Sequence, residues 1–235
     1  MMKNIIIDEK GNIKYHKSGD FHSMFGVVRE NEIKPGIVKS NKGHDFIIFN
    51  AHFSDELRNI ERGPAVTHIK DIGYIISFTG IGVGSKILDA GSGSGHMASA
   101  LARVGCEVIS YEKKKEFFDI ASNNIKKLNL NVNIKNKDIY NGIEEKDFDL
   151  INLDLLEPWK VLPYVKSALK SGGYLVCYLP NITQIMELVN LMDNSFYLWS
   201  VVEVLVREWS VQNLKVRPNN HMLGHTAFLI FIRKI

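Results

Sequence analysis

From residue 64 to the C-terminus the chain alternates short apolar, β-branched runs with amphipathic stretches of helical period, and this alternation constrains the fold more than any other feature. Helices are expected over 70–78, 95–104 and 114–128, with strands over 86–91 and 106–112 between them. Strands over 131–138, 148–154 and 172–180 and helices over 161–170 and 183–193 continue the pattern. Successive β and α units join parallel strands through right-handed crossovers, so an α/β sheet with helices on both faces is expected. The end breaks the rhythm. Residues 200–211 and 226–235 read as two long strands joined by a polar loop, which predicts an antiparallel hairpin at the sheet edge.

The first sixty residues read differently. Segments 4–8 and 12–16 flank a Glu-Lys-Gly turn and predict a hairpin. GVVRE, GIVKS and DFIIFNA continue as short strands, with Pro35-Gly36 and Lys42-Gly43 as breaks and no helix of useful length. The expected organisation is a small antiparallel β domain over 1–62, a linker near 58–63, and an α/β domain over 63–235.

With 235 residues, 45% of them hydrophobic, the chain can bury one sizeable core and a small appended domain. A charged fraction of 23% fits a globular chain and not a disordered one. The net charge of +3 neither requires nor excludes a polyanionic partner, because a local basic face matters more than the total. Cys106 and Cys177 sit in separate apolar runs without CxxC spacing, and no tight His/Asp/Glu cluster exists, so no metal is expected. MMKNIIIDEK has too short an apolar run for a signal-peptide core, and no stretch approaches the ~20 apolar residues of a membrane span. A soluble, cytoplasmic protein without a membrane partner is the expectation.

Between the strand at 86–91 and the helix that follows lies Asp89-Ala90-Gly91-Ser92-Gly93-Ser94-Gly95. Glycines here let the backbone turn sharply and approach a ligand, and the helix start offers free N–H groups. Such a loop suits a nucleotide-like cofactor at the strand ends. Glu112, 17 positions after Gly95, ends the next strand, where a carboxylate can accept bonds from both ribose hydroxyls. NAD is disfavoured: Asp89 leads the loop, the glycines are closely spaced, and position 96 is His where the dinucleotide pattern has its third glycine.

An acid before a closely spaced glycine loop resembles the class I methyltransferases. The resemblance implies a Rossmann-like seven-stranded sheet and S-adenosylmethionine as cofactor. It assigns Asp89, Gly91, Gly93, Ser94, Gly95, His96 and Met97 to the amino-acid end of that ligand and Glu112 to its ribose. It gives Asp138, at the end of the third strand, the adenine amino group. For Phe117, packing on the adenine ring and ordinary core packing stand equal.

Asn152-Leu153-Asp154-Leu155-Leu156-Glu157-Pro158-Trp159 follows the fourth strand, and Pro158 stops its continuation. Where amino methyltransferases often read (N/D)PP(Y/F/W), this chain reads DLLEPW. That segment resembles the tRNA adenine-N1-methyltransferase family, which modifies position 58. KDIGYII, DAGSGSGHMASALA, VISYEKK, ALKSGGYLVCYLPNITQIMEL, VREWSV, VRP and MLGHTAFLIFIRK follow the same family in order. The similarity covers residues 60–235 well and 25–60 loosely. It implies a tRNA partner and a homotetramer. Position 57 stays open, since some archaeal members treat 57 and 58 both. Arg217 and His225 are implied as substrate contacts. His68-Ile69 replaces the family's tyrosine-proline pair, so His68 is either a base contact or a solvated loop residue.

The chemistry expected at Asp154 follows from adenine itself. N1 attacks the methyl group, the ring becomes cationic, and its exocyclic amine becomes more acidic. A carboxylate beside that amine orients the base and accepts its proton, and Asp154 both lines the cofactor crevice and fills this role. Glu157 and Trp159 shape the loop. Lysines 113–115, 126, 127, 135 and 137 read equally as a solvated face or as an RNA-phosphate surface. Two rivals remain: a methyltransferase for another substrate, such as protein isoaspartate or a small molecule, and a non-catalytic RNA-binding partner chain. The first leaves EPW and GHTAFL unexplained. Retention of Gly91, Gly93, Gly95, Glu112 and Asp154 argues against the second.

Overall fold

The computed structural model describes residues 2–63, 66–212 and 214–235. The chain divides into two compact units, Met1–Ile60 and Glu61–Ile235. In the first unit, β1 (Asn4–Ile7), β2 (Ile13–His16), β5 (Gly36–Lys39) and β6 (Asp45–Asn50) form an antiparallel sheet in the order β2-β1-β6-β5. A second hairpin joins β3 (Phe21–Ser23) to β4 (Gly26–Val28). Alternation along β1 and β6 turns Ile6, Phe46 and Ile48 inward, where with Val28 they form the unit's buried core. Its one α-helix among the described residues, α1 (Phe53–Arg58), is six residues long. Asp55 starts it locally, its Oδ2 accepting the His52 N–H at 2.9 Å.

In the second unit the helices are α2 (Ile69–Thr79), α3 (His96–Arg103), α4 (Lys115–Lys127), α5 (Leu162–Ala168) and α6 (Ile182–Asn190). The strands are β7 (Lys86–Ala90), β8 (Glu107–Tyr111), β9 (Val132–Lys135), β10 (Phe148–Leu153), β11 (Leu169–Leu179), β12 (Phe196–Val202), β13 (Trp209–Gln212), β14 (Lys215–Pro218) and β15 (Phe228–Lys234). Seven of them form one Rossmann-like sheet, ordered β12-β15-β11-β10-β7-β8-β9. β11, β10, β7, β8 and β9 run parallel, and β15 is antiparallel to both its neighbours. The central strands are largely apolar because both faces are covered. Ile87, Leu88 and Ala90 in β7 and Leu150, Ile151 and Leu153 in β10 are all buried.

The strand order sets the site. From β7 the chain winds outward through β8 and β9, then returns to β10 on the other side of β7. The crevice at the carboxyl ends of β7 and β10 is therefore the switch point where ligands of open α/β sheets bind.

The C-terminal region departs from the expected hairpin of two long strands. β12 begins at Phe196 and stops at Val202, where its pairing with β15 ends at the Val202–Leu229 register. Residues 209–212 pair instead with β14 in a separate two-stranded ribbon. β15 inserts between β11 and β12, so the edge of the sheet is β12. Both cysteines are free and buried, and among the described residues no helix is long and apolar enough to cross a membrane.

Candidate active site

The turn after β7 is held by backbone contacts that require glycine. Gly91 has φ 90°, and its N–H donates to the Tyr111 carbonyl at 3.0 Å. A Cβ on Gly91 would stand 2.2 Å from the Asp154 carbonyl oxygen. The Asp154 N–H in turn donates to the Ala90 carbonyl at 2.9 Å. The two strand ends thus lock together, and Asp154 is placed against the loop. Gly93 donates its N–H to Glu112 Oε2 at 3.0 Å, while Glu112 Oε1 accepts the Lys114 N–H at 2.9 Å. Gly95, at φ 81°, caps α3 and would set a Cβ 3.4 Å from that of Ala121. Ser94 Oγ and His96 Nδ1 are 2.7 Å apart, and Ser94, His96 and Met97 line the crevice with Val66, Thr67, Gly91, Ser92 and Asp154.

Three carboxyl groups crowd this point. Asp89 is buried and accepts from Asn152 Nδ2 at 2.8 Å and Ser110 Oγ at 2.9 Å. Burial, opposed by those two hydrogen bonds and aided by the Glu112 charge, pushes its pKa up to about 6. Asp154 has no hydrogen-bonded side-chain partner among the described residues. Burial first, then the charges of Asp89 and Glu112, push its pKa up to about 7. Among the described residues no lysine or arginine pairs with any of the three.

A second cavity, of about 280 Å³, is lined by His68, Lys70, Val206, Glu208, His221, Met222 and Leu223. His68, the N-cap of α2, is exposed at its edge. The two cavities flank the same chain segment, Val66 and Thr67 facing the glycine loop and His68 and Lys70 the other side.

Residues 59–227 match the family described as tRNA methyltransferase complex GCD14 subunit. The chain belongs to this family. It is 34% identical to the tRNA (adenine(58)-N(1))-methyltransferase TrmI of Thermus thermophilus, covering 98% of this chain and 96% of that one. It is 31% identical to the Methanocaldococcus jannaschii tRNA (adenine(57)-N(1)/adenine(58)-N(1))-methyltransferase TrmI, over 97% of this chain and 94% of the relative. Among solved structures, the tRNA (m1A58) methyltransferase TrmI of Aquifex aeolicus superposes with a TM-score of 0.85 at 29% identity, covering 99% of this chain and 96% of that one. A SAM-dependent O-methyltransferase of Thermotoga maritima gives 0.90 at 30% identity, over 100% and 93% of the two chains.

As a GCD14-family protein the chain is a methyltransferase whose cofactor is S-adenosylmethionine, and the residues present fit that ligand. A sulfonium and an ammonium are cationic. Asp89 and Asp154, raised by burial first and then by neighbouring carboxylate charge, form the complementary environment. The start of α3 after the glycine loop offers free backbone N–H groups, which suit a carboxylate.

The other residues singled out from the sequence are scattered more widely. Asp138 caps a short 3₁₀ turn, its Oδ1 accepting the Tyr140 N–H at 3.1 Å, and its Oδ2 is 2.7 Å from Lys113 Nζ. Phe117 is half-buried in the first turn of α4, with Lys114 Nζ 5.1 Å from its ring centre. Arg217 is exposed on β14. His225 is tied down: Nδ1 meets Glu203 Oε1 at 2.5 Å and Nε2 meets the Pro180 carbonyl at 2.8 Å. Both ring nitrogens face acceptors, and the His225 pKa is raised by Glu203 first and then by the Pro180 carbonyl. Lys113, Lys115, Lys135 and Lys137 each pair with a carboxylate, which makes their region a charge-matched solvated surface. Among the described residues no group of three or more His, Cys, Asp or Glu could hold a metal ion.

Sequence reasoning missed a buried polar cluster beside the site. Lys70 Nζ lies 2.7 Å from both Asp71 Oδ1 and Thr226 Oγ1, and the Tyr178 and Thr226 hydroxyls each donate to Asp71 Oδ2 at 3.3 Å. Asp71 is wholly buried. A charged residue in the first turn of a helix whose neighbours Ile72 and Ile75 face the core was the available signal. Asn152 and Ser110, which hold Asp89, had a similar one: a polar residue inside an otherwise apolar strand.

Proposed function

We propose that the chain transfers a methyl group from S-adenosylmethionine to N1 of adenosine 58 in the T-loop of tRNA, with Asp154 orienting the base and accepting the proton of its amine. The observation that carries this is the Asp154 carboxyl: seated at the glycine loop, without a hydrogen-bonded side-chain partner among the described residues, and raised to about 7. The bound cofactor supplies an electrophilic methyl on a cationic sulfur. Its positive charge lowers the Asp154 pKa again and leaves the carboxylate as the base. Alignment of N1 with the methyl group and the positioned acceptor are the main contributions of the protein.

In a folded tRNA the target base is stacked and must be extruded. The 280 Å³ cavity beside His68 is separate from the Asp154 crevice and has room for a second base of the RNA, with Glu208 to accept an amine and Met222 and Leu223 as apolar walls. The charge of Lys70 is spent on Asp71, so this cavity suits a neutral base better than a phosphate. The exposure of Arg217 supports contact with the RNA backbone, while His225 seats the rim through Glu203 and Pro180. Asp89, Gly91, Gly93, Ser94, Gly95, His96, Met97 and Glu112 hold the cofactor's methionine and ribose portions, and Phe117 and Asp138 flank its adenine. The exposed Tyr197, Trp199 and Val201 on edge strand β12 support assembly into a homotetramer.

Incubation with unmodified tRNA and methyl-labelled cofactor tests the reading. 1-Methyladenosine at position 58 is expected, with binding that weakens steeply as salt rises. Folded protein that yields none, or that labels a ribose oxygen, refutes it. Mapping the label also separates position 58 alone from 57 and 58 together, the two patterns named for its relatives.

A further inference from the structure

Asn124 lies well inside α4, where asparagine is a poor helix former, and it is completely buried. All of its polar atoms are used across the chain. Oδ1 accepts the Glu61 N–H at 3.1 Å. Nδ2 donates to the Glu61 carbonyl at 2.8 Å and to the Ser94 carbonyl at 3.0 Å. One amide therefore pairs with both backbone groups of Glu61 and with the glycine loop. Around this pin the packing is tight. A Cβ on Gly63 would lie 3.4 Å from the Ser94 nitrogen, and one on Gly95 would lie 3.4 Å from the Ala121 Cβ, one helical turn before Asn124. Val66 and Thr67, a few residues further along the sequence, line the crevice with Gly91 and Asp154.

We infer that Asn124 is a positioning residue for the methyl donor, setting the glycine loop and the Glu61–Gly63 backbone at the separation that the ligand's amino-acid end needs. This rests on the donor site proposed above. Asn124 does not face the crevice; it acts through Ser94 and Glu61. A purely structural asparagine would lower stability when replaced and leave donor affinity alone. A positioning asparagine ties affinity to these hydrogen bonds even where stability is kept.

Asn124→Leu separates the two roles, because it keeps the branched side-chain skeleton and favours the helix while removing all three hydrogen bonds. Asn124→Asp, of the same shape, keeps the acceptor for the Glu61 N–H but sets a carboxylate oxygen against two carbonyls. It serves if the leucine variant fails to fold. Donor binding is read by calorimetry, and hydrogen exchange of the Glu61 amide is read on the protein without donor. In either variant the Kd for S-adenosylmethionine should rise about tenfold and the Glu61 amide should exchange faster, while kcat at saturating donor stays within about twofold. A folded variant that binds the donor as tightly as the parent overturns the inference, as does one that loses kcat at unchanged Kd. If the parent protein itself binds no donor, the site assignment falls and takes the inference with it; parent binding with unchanged variants sinks the inference alone.

Discussion

On the donor side of the crevice, at the carboxyl ends of β7 and β8, the protein is built from backbone and buried acids. Glycines 91, 93 and 95 turn at positive φ, and Asp89 and Glu112 are both buried. On the side proposed for the acceptor, around α2 and the chain after β12, the protein is built from exposed side chains of mixed charge: His68, Glu208, Arg217 and His221. The first arrangement suits a small ligand that is the same at every turnover. The second suits a large partner that brings its own shape and must leave. A loop made of main chain tolerates almost no substitution, whereas a rim made of side chains loses function by degrees.

The sharpest test of that contrast is Gly91→Ala. The new methyl would meet the Asp154 carbonyl at 2.2 Å, at a φ of 90° that alanine avoids. Donor binding should fall by more than about a hundredfold, read by calorimetry, with loss of thermal stability as well. Tight donor binding by this variant would mean that the loop is not rigid.

Asp154→Asn probes the junction between the two sides. Turnover should drop by about 10²–10⁴. Stability should change in the opposite sense. The Asp154 pKa in the folded protein, about 7, lies above that of an unfolded aspartate, 3.8. Its favourable contribution is therefore full below about pH 4 and lost as pH rises through 7. At pH 8 the asparagine variant without donor should melt higher than the parent, by roughly 2–4 °C for each kcal/mol recovered. At pH 4 the advantage should vanish. A variant that is inactive and also less stable at pH 8 would assign Asp154 to holding the fold.

The smallest effect on chemistry is expected at the sheet edge. Trp199 is 54% exposed on β12, and Trp199→Glu should reduce the mass seen by light scattering from a tetramer to smaller species. Donor affinity should stay within about twofold. A parent chain that is monomeric at micromolar concentration would remove the homotetramer.

Some of these residues are legible in the amino-acid sequence itself. The glycine loop, Glu112 and Asp154 lie at fixed offsets from strands that announce themselves by composition, so their places at the crevice follow from local pattern and the crossover rule. Asn124, Asn152 and the Lys70–Asp71–Thr226–Tyr178 cluster could not be assembled that way. Asn124 meets a residue 63 positions away, and Lys70 meets one 156 positions away. The run 200–211 reads as one strand because its composition is β-like throughout. Where β12 stops is seen only in its pairing with β15.

The sequence alone determined the alternating α/β sheet, the ligand-binding turn after β7 and the acid that follows β10, because each depends on residues close together in the chain. Tertiary structure decided that β15 inserts between β11 and β12, that His225 is bound on both nitrogens, and that the charges of Asp89 and Glu112 act on a buried Asp154. The physical reason is the range of the forces. Backbone preference and side-chain period act over a few residues, whereas strand pairing, burial and the mutual repulsion of charges depend on which distant segments the completed fold brings together.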